Sequence, residues 1–138
     1  MSHKQKYFFN KLVRDNVVDI LKKEKIDINY KRLSEGEYIK QLKLKLIEEA
    51  KEVFEAKNQG EFLEEISDLL DVIEALKKIL KISDKKILEK SELKKKSKGS
   101  FENRYFINFI DIERNHPYIS CFEKNSNKYP KVEKNIPG

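Results

Sequence analysis

The stretch Lys45–Leu76, KLIEEAKEVFEAKNQGEFLEEISDLLDVIEAL, decides the fold. It reads as two amphipathic helices joined by a tight turn at KNQG, residues 57–60. Upstream, Ser34-Glu35-Gly36-Glu37 is a Ser-x-x-Glu capping box, so the first helix of the pair should begin at Glu35 and run to about Lys57. Its apolar stripe is Ile39, Leu42, Leu46, Val53 and Ala56, at alternating three- and four-residue steps. Glu49 interrupts that stripe. The second helix should span about Glu61 to Leu80, after Asn58 and Gly60 end the first. It carries a main stripe of Phe62, Ile66, Leu69, Ile73, Leu76 and Leu80, and a second row of Glu65, Asp68, Val72, Ala75 and Ile79. Apolar over most of its circumference, it is expected to be the central helix.

A connection this short makes the two helices antiparallel neighbours. Glu49 with Asp68, and Glu52 with Glu65, are placed symmetrically about Asn58–Gln59, so each pair lies at one height. Within each helix the two acids are i and i+3, on nearly one face. With axes ~8–10 Å apart, the side chains can converge. Carboxylates gathered in a half-buried space repel and lose hydration, so they must protonate, pair with lysine or bind a cation. Lys45, Lys51 and Lys57 are the lysines at hand for the pairing alternative. An all-oxygen donor set suits Mg²⁺ or Mn²⁺, and the lack of His or Cys there argues against zinc.

Outward from the hairpin, Asn16 to Lys25 suggests a short first helix. Ser83 should cap a fourth helix that ends at Lys98, with Gly99 as its stop. Beyond Gly99, FENRYFINFIDIE and HPYISCFEKN alternate aromatic and β-branched residues and are expected to form a short β-hairpin. The fold class is therefore all-α: an antiparallel helical hairpin with flanking helices and this C-terminal extension. Residues 1–107 are read as the helical domain and 108–138 as an extension packed on it or loosely ordered.

The 138 residues carry a net charge of +6, unevenly spread. Residues 34–75 hold 12 acids and 5 bases, whereas residues 77–98 hold 10 bases and 3 acids. No run reaches the ~20 apolar residues of a membrane span. The N-terminus lacks a signal-peptide pattern and Cys121 is the one cysteine, which together favour the cytoplasm. No Ser-His or Cys-His arrangement offers a nucleophile, since His3, His116 and Cys121 lie in the terminal regions. A metal that binds polyphosphate and activates water is the natural task of such acids. Lys11 and Arg14 before the first helix, with Lys94 and Lys98 at i and i+4 on the fourth, could neutralise phosphate charge.

Glu48, Glu49 and Glu52 in EEAKE, followed by Glu65 and Asp68 in EISD, resemble the E-E-x-x-E and E-x-x-D pattern of the all-α nucleoside triphosphate pyrophosphohydrolases of the MazG-like group. NKLVRDNVVDIL and KGSFENRYF look like the house-cleaning branch, related to phosphoribosyl-ATP pyrophosphohydrolase. The resemblance covers roughly residues 7–107. It implies Mg²⁺ held by Glu49, Glu52, Glu65 and Asp68. It also implies cleavage between the α and β phosphates of a non-canonical nucleotide, giving a nucleoside monophosphate and pyrophosphate. Glu48 is then a candidate to orient the attacking water, and Lys11, Arg14, Lys94 and Lys98 become phosphate contacts. Asp71 is a candidate for a second ion or a surface acid. Gly99 and Phe101 match the nucleotide-contacting Gly-Gly-Phe, with Ser100 in place of its second glycine. The resemblance further implies a homodimer or homotetramer.

Phosphoribosyl-ATP hydrolysis is the enzymatic alternative. A non-catalytic module that binds nucleic acid or a partner protein through Lys77–Lys98 is the alternative of another class.

Overall fold

The computed structural model describes residues 3–133, and every helix expected from the sequence is present in it. The order is α1 (Val17–Lys23), α2 (Glu35–Glu55), α3 (Gln59–Leu80), α4 (Asp84–Lys98) and α5 (Ile119–Lys124). The fold is all-helical among the described residues. No helix there is long and apolar enough to cross a membrane. The chain divides into two compact units, residues 1–96 and 97–138.

In the first unit the boundaries follow from local chemistry. Ser34 caps α2: its Oγ accepts from Glu37 N at 3.3 Å, satisfying an amide that the helix cannot. α2 stops where Ala56 turns extended. Asn58 and Gly60 do not end α2 as expected. The Asn58 side chain instead caps α3, accepting from Glu61 N at 2.9 Å, and Gly60 falls within the first turn of α3. An extended Asn with its amide oxygen over the next turn is a start signal, and it takes precedence over the helix-breaking tendency of the glycine. At the other end Lys81 adopts a left-handed φ of 55°, and Ile82 N closes back on Lys77 O at 2.9 Å. Ser83 Oγ then accepts from Lys86 N at 3.2 Å and starts α4.

The packed helix pair of this unit is α2 against α3. Leu42, 3% exposed, and Val72, 7% exposed, are its buried apolar side chains. On α2 the inward stripe is the expected one, with Glu49 inside it. On α3 the weights are reversed. The row holding Glu65, Asp68 and Val72 is the more enclosed, while Phe62, Ile66 and Leu80 of the main stripe lie exposed. Ile47, Phe54, Leu63 and Leu70 also face solvent, Phe54 at 88%. On a helical wheel Ile47 and Phe54 stand about 160° and 140° from Glu49, roughly the opposite face.

The second unit corrects the expected β-hairpin. No strand occurs among its described residues, and ISCFEK within the second expected strand is α5. A strand needs a partner to satisfy its amides, and aromatic composition supplies none. Pro117 instead sits in the turn that opens the helix, where Ser120 Oγ donates to Pro117 O at 3.2 Å and Tyr118 N donates to His116 Nδ1 at 3.0 Å. Asn125 closes it by donating from Nδ2 to Cys121 O at 2.8 Å. The Phe122 ring meets Tyr129 edge-on at 5.2 Å.

Candidate metal centre

Glu49 of α2 and Glu65 and Asp68 of α3 offer carboxylate oxygens that all lie within 4.8 Å of one another. The hairpin makes this cluster. Glu49 lies on the inward stripe two turns beyond Leu42, and it is only 6% exposed. Oε2 of Glu49 and Oε2 of Glu65 are buried and have no hydrogen-bond partner. An orphaned acceptor of this kind is costly to desolvate, more so when it carries charge.

Glu52, the fourth expected ligand, stands outside that trio, but it is close enough to perturb two of its members. Its carboxylate pushes Glu65 up to about 7, with burial and the charges of Asp68 and Glu49 adding to the effect. Burial raises the Glu49 carboxyl, and Glu52 raises it further. Acids that hold their protons this firmly report crowding by like charge. The donor set is oxygen alone, and two of its carboxylates carry a buried, unpartnered oxygen. These residues fit a hard divalent cation, which would satisfy both oxygens and relieve the repulsion.

Basic groups ring the cluster. Lys45 Nζ lies 3.6 Å from Glu49 Oε1 and 3.7 Å from Glu48 Oε2. Lys11 Nζ donates to Glu48 Oε1 at 3.0 Å, which holds the Glu48 carboxyl below its ordinary range and raises Lys11 above its own. Arg14 Nη2 reaches Asp68 Oδ1 at 2.7 Å and Asp71 Oδ2 at 2.9 Å. A cleft of about 210 Å³ opens beside Lys11, Gln41, Lys45 and Glu48.

Of the residues singled out from sequence, Glu49, Glu65, Asp68, Glu52, Glu48, Lys11 and Arg14 are therefore brought together. The lysine-pairing alternative holds in part: Lys45 pairs with the acids of the site, whereas Lys51 pairs with Glu55 at 3.9 Å. Lys94 lies on α4. Lys98, Gly99 and Phe101 belong to the second unit, where Gly99 takes a left-handed φ of 80° and Phe101 is 97% exposed.

Sequence reasoning gave Lys45 too small a part. Its signal was its spacing, one turn before both Glu48 and Glu49. It also left Asp71 between a second ion and the surface, and the structure places Asp71 on Arg14. Comparison of the chain with protein-family models, with curated proteins and with solved structures finds no match.

Proposed function

We propose that this chain is a Mg²⁺-dependent nucleotide pyrophosphohydrolase, similar to the MazG-like group, that converts a nucleoside triphosphate to its monophosphate and pyrophosphate. One observation carries the reading: the Glu49 carboxylate is buried in the hairpin with an unpartnered oxygen, and it converges with the carboxylates of Glu65 and Asp68. Lys45 reaches only Oε1 of Glu49 and leaves Oε2 without a partner. The motif resemblance supplies the reaction class.

In this reading Glu49, Glu65 and Asp68, backed by Glu52, would hold Mg²⁺ or Mn²⁺. The bound ion would offset charge on the phosphoryl oxygens and make water a better nucleophile. The chain's own residues do the rest. Lys11 and Lys45, both on Glu48, present two cations to the cleft beside them, and Arg14 adds a third cation on Asp68. They bind the phosphates and stabilise the leaving pyrophosphate. Glu48 stays ionised because of Lys11, so it remains an acceptor that can orient water. Water adds at the α-phosphorus, and the anhydride bond to the β-phosphate breaks.

The exposed Ile47, Phe54, Leu63 and Leu70 support a homo-oligomer, because a lone hairpin leaves them in water. The free cysteine, Cys121, accords with a cytoplasmic setting.

The test is a nucleotide panel that includes phosphoribosyl-ATP, assayed with Mg²⁺ for pyrophosphate release. Glu49→Ala and Asp68→Ala should abolish nearly all turnover with the helical circular-dichroism signal retained. Turnover that survives in both variants would refute the site. Salt-sensitive nucleic-acid binding with no pyrophosphate release would favour the non-catalytic module.

A further inference from the structure

The segment preceding α1 lays one cation on each helix of the hairpin: Lys11 on Glu48 of α2, and Arg14 on Asp68 and Asp71 of α3. The two acceptors of Arg14 differ in kind. Asp68 belongs to the trio of converging carboxylates, and Asp71 does not. Nη2 approaches both, at 2.7 Å and 2.9 Å, and the guanidinium carries five N–H donors in all.

We infer that Arg14 is an exchangeable counter-ion. It neutralises Asp68 until a divalent ion takes that carboxylate, and Asp71 is the positioning residue that then keeps Arg14 beside the site. This rests on the metal-site reading above. The physical reasons are direct. A guanidinium and a divalent ion compete for one carboxylate, so the occupant of Asp68 sets the affinity for the other. The exchange requires no repacking, because the Arg14 side chain is 59% exposed and that of Asp68 is 34% exposed. Asp71 lies one helical turn beyond Asp68, so Arg14 can release one acid while holding the other. The donors of Arg14 are then available to a phosphate that arrives with the metal. Metal loading and anion recognition are thereby coupled through one side chain.

The test is calorimetric titration of Mn²⁺ into the full chain, stripped with EDTA, for the wild type, Arg14→Gln, Asp71→Asn and the double variant. Arg14→Gln should bind Mn²⁺ about three- to tenfold tighter, the scale set by losing partly exposed charge pairs. Asp71→Asn should weaken Mn²⁺ binding, since Arg14 then rests on Asp68 alone, and should do so less in the Arg14→Gln background. A mere surface charge at Asp71 would act equally in both backgrounds. In the wild type, the Arg14 Nε–Hε resonance should shift as Mg²⁺ is added, a readout that needs no variant to fold.

If the wild type binds Mn²⁺, Arg14→Gln binds it no tighter and the resonance stays still, the exchange is overturned and the metal site stands. A wild type that binds no Mn²⁺ overturns the metal site and the exchange together.

Discussion

Replacing Glu49 with Gln should stabilise the metal-free protein while abolishing its response to metal. The magnitude can be worked from the cluster. Two unit charges no more than 4.8 Å apart repel by at least about 3.5 kcal/mol at an effective dielectric constant of about 20. Within the trio Glu49 meets two such charges, Glu65 and Asp68, for at least about 7 kcal/mol, and Glu52 adds to the repulsion. Lys45, 3.6 Å away, returns about 4.6 kcal/mol on the same scale. The surplus of at least about 2.4 kcal/mol is reduced by solvent around the half-buried partners and by the partial protonation of Glu65, leaving about 1 kcal/mol. Glutamine keeps the shape, loses the charge and adds a donor toward the neighbouring acids. In EDTA at neutral pH, Glu49→Gln should therefore raise the urea-unfolding free energy by about 1 kcal/mol and the melting temperature by about 3–5 °C. In saturating Mg²⁺ the order should reverse, because only the wild type gains binding energy on the folded side. Circular-dichroism melts in the two buffers are sufficient. A variant less stable than the wild type in EDTA would show that Glu49 is an ordinary salt-bridge partner of Lys45, and the electrostatic reasoning would fail.

Glu65 gives a pH signature. Its carboxyl titrates at about 7 rather than 4.5, so its stabilising contribution is complete below 4.5 and is lost as pH climbs through about 7. Urea midpoints in EDTA across that window should fall with rising pH, and Glu65→Gln should flatten the slope. Asn58→Ala removes the side-chain cap of α3 and should cost about 1 kcal/mol in the same unfolding assay. Lys11→Ala breaks a pair whose lysine is exposed and whose glutamate is half-buried, so it should change stability by less than about 1 kcal/mol while weakening affinity for a non-hydrolysable nucleotide. If the proposed homo-oligomer packs through this face, Phe54→Asp should lower the mass seen in sedimentation equilibrium toward that of one chain.

The hairpin was legible because its signals are local. Ser34 with Glu37 is a cap that three residues can specify, and the stripe through Leu42 and Glu49 needs only helical spacing. Symmetry about the turn then sets Glu49 opposite Asp68 without further information. Asn58 was read with the wrong sign, since the same residue type stops one helix or starts the next, and its extended backbone decides which. The sequence points Arg14 toward phosphate, whereas its pairing with Asp68 and Asp71 is a tertiary contact. The path of residues 10–14 depends on tertiary contacts that no periodicity encodes. The aromatic run after Gly99 misled for the converse reason: side chains that favour strands cannot make one without a neighbouring strand to bond.

Leu42 and Val72 have a thermodynamic consequence. A 138-residue chain whose described apolar interior rests on two buried side chains draws little from burial within itself. Its conformational equilibrium is then tied to whatever covers Ile47, Phe54, Leu63 and Leu70. If that cover is another copy of the chain, mass action enters: simple dilution acts as a denaturant, and the midpoint of a thermal scan becomes a function of protein concentration rather than a constant of the sequence.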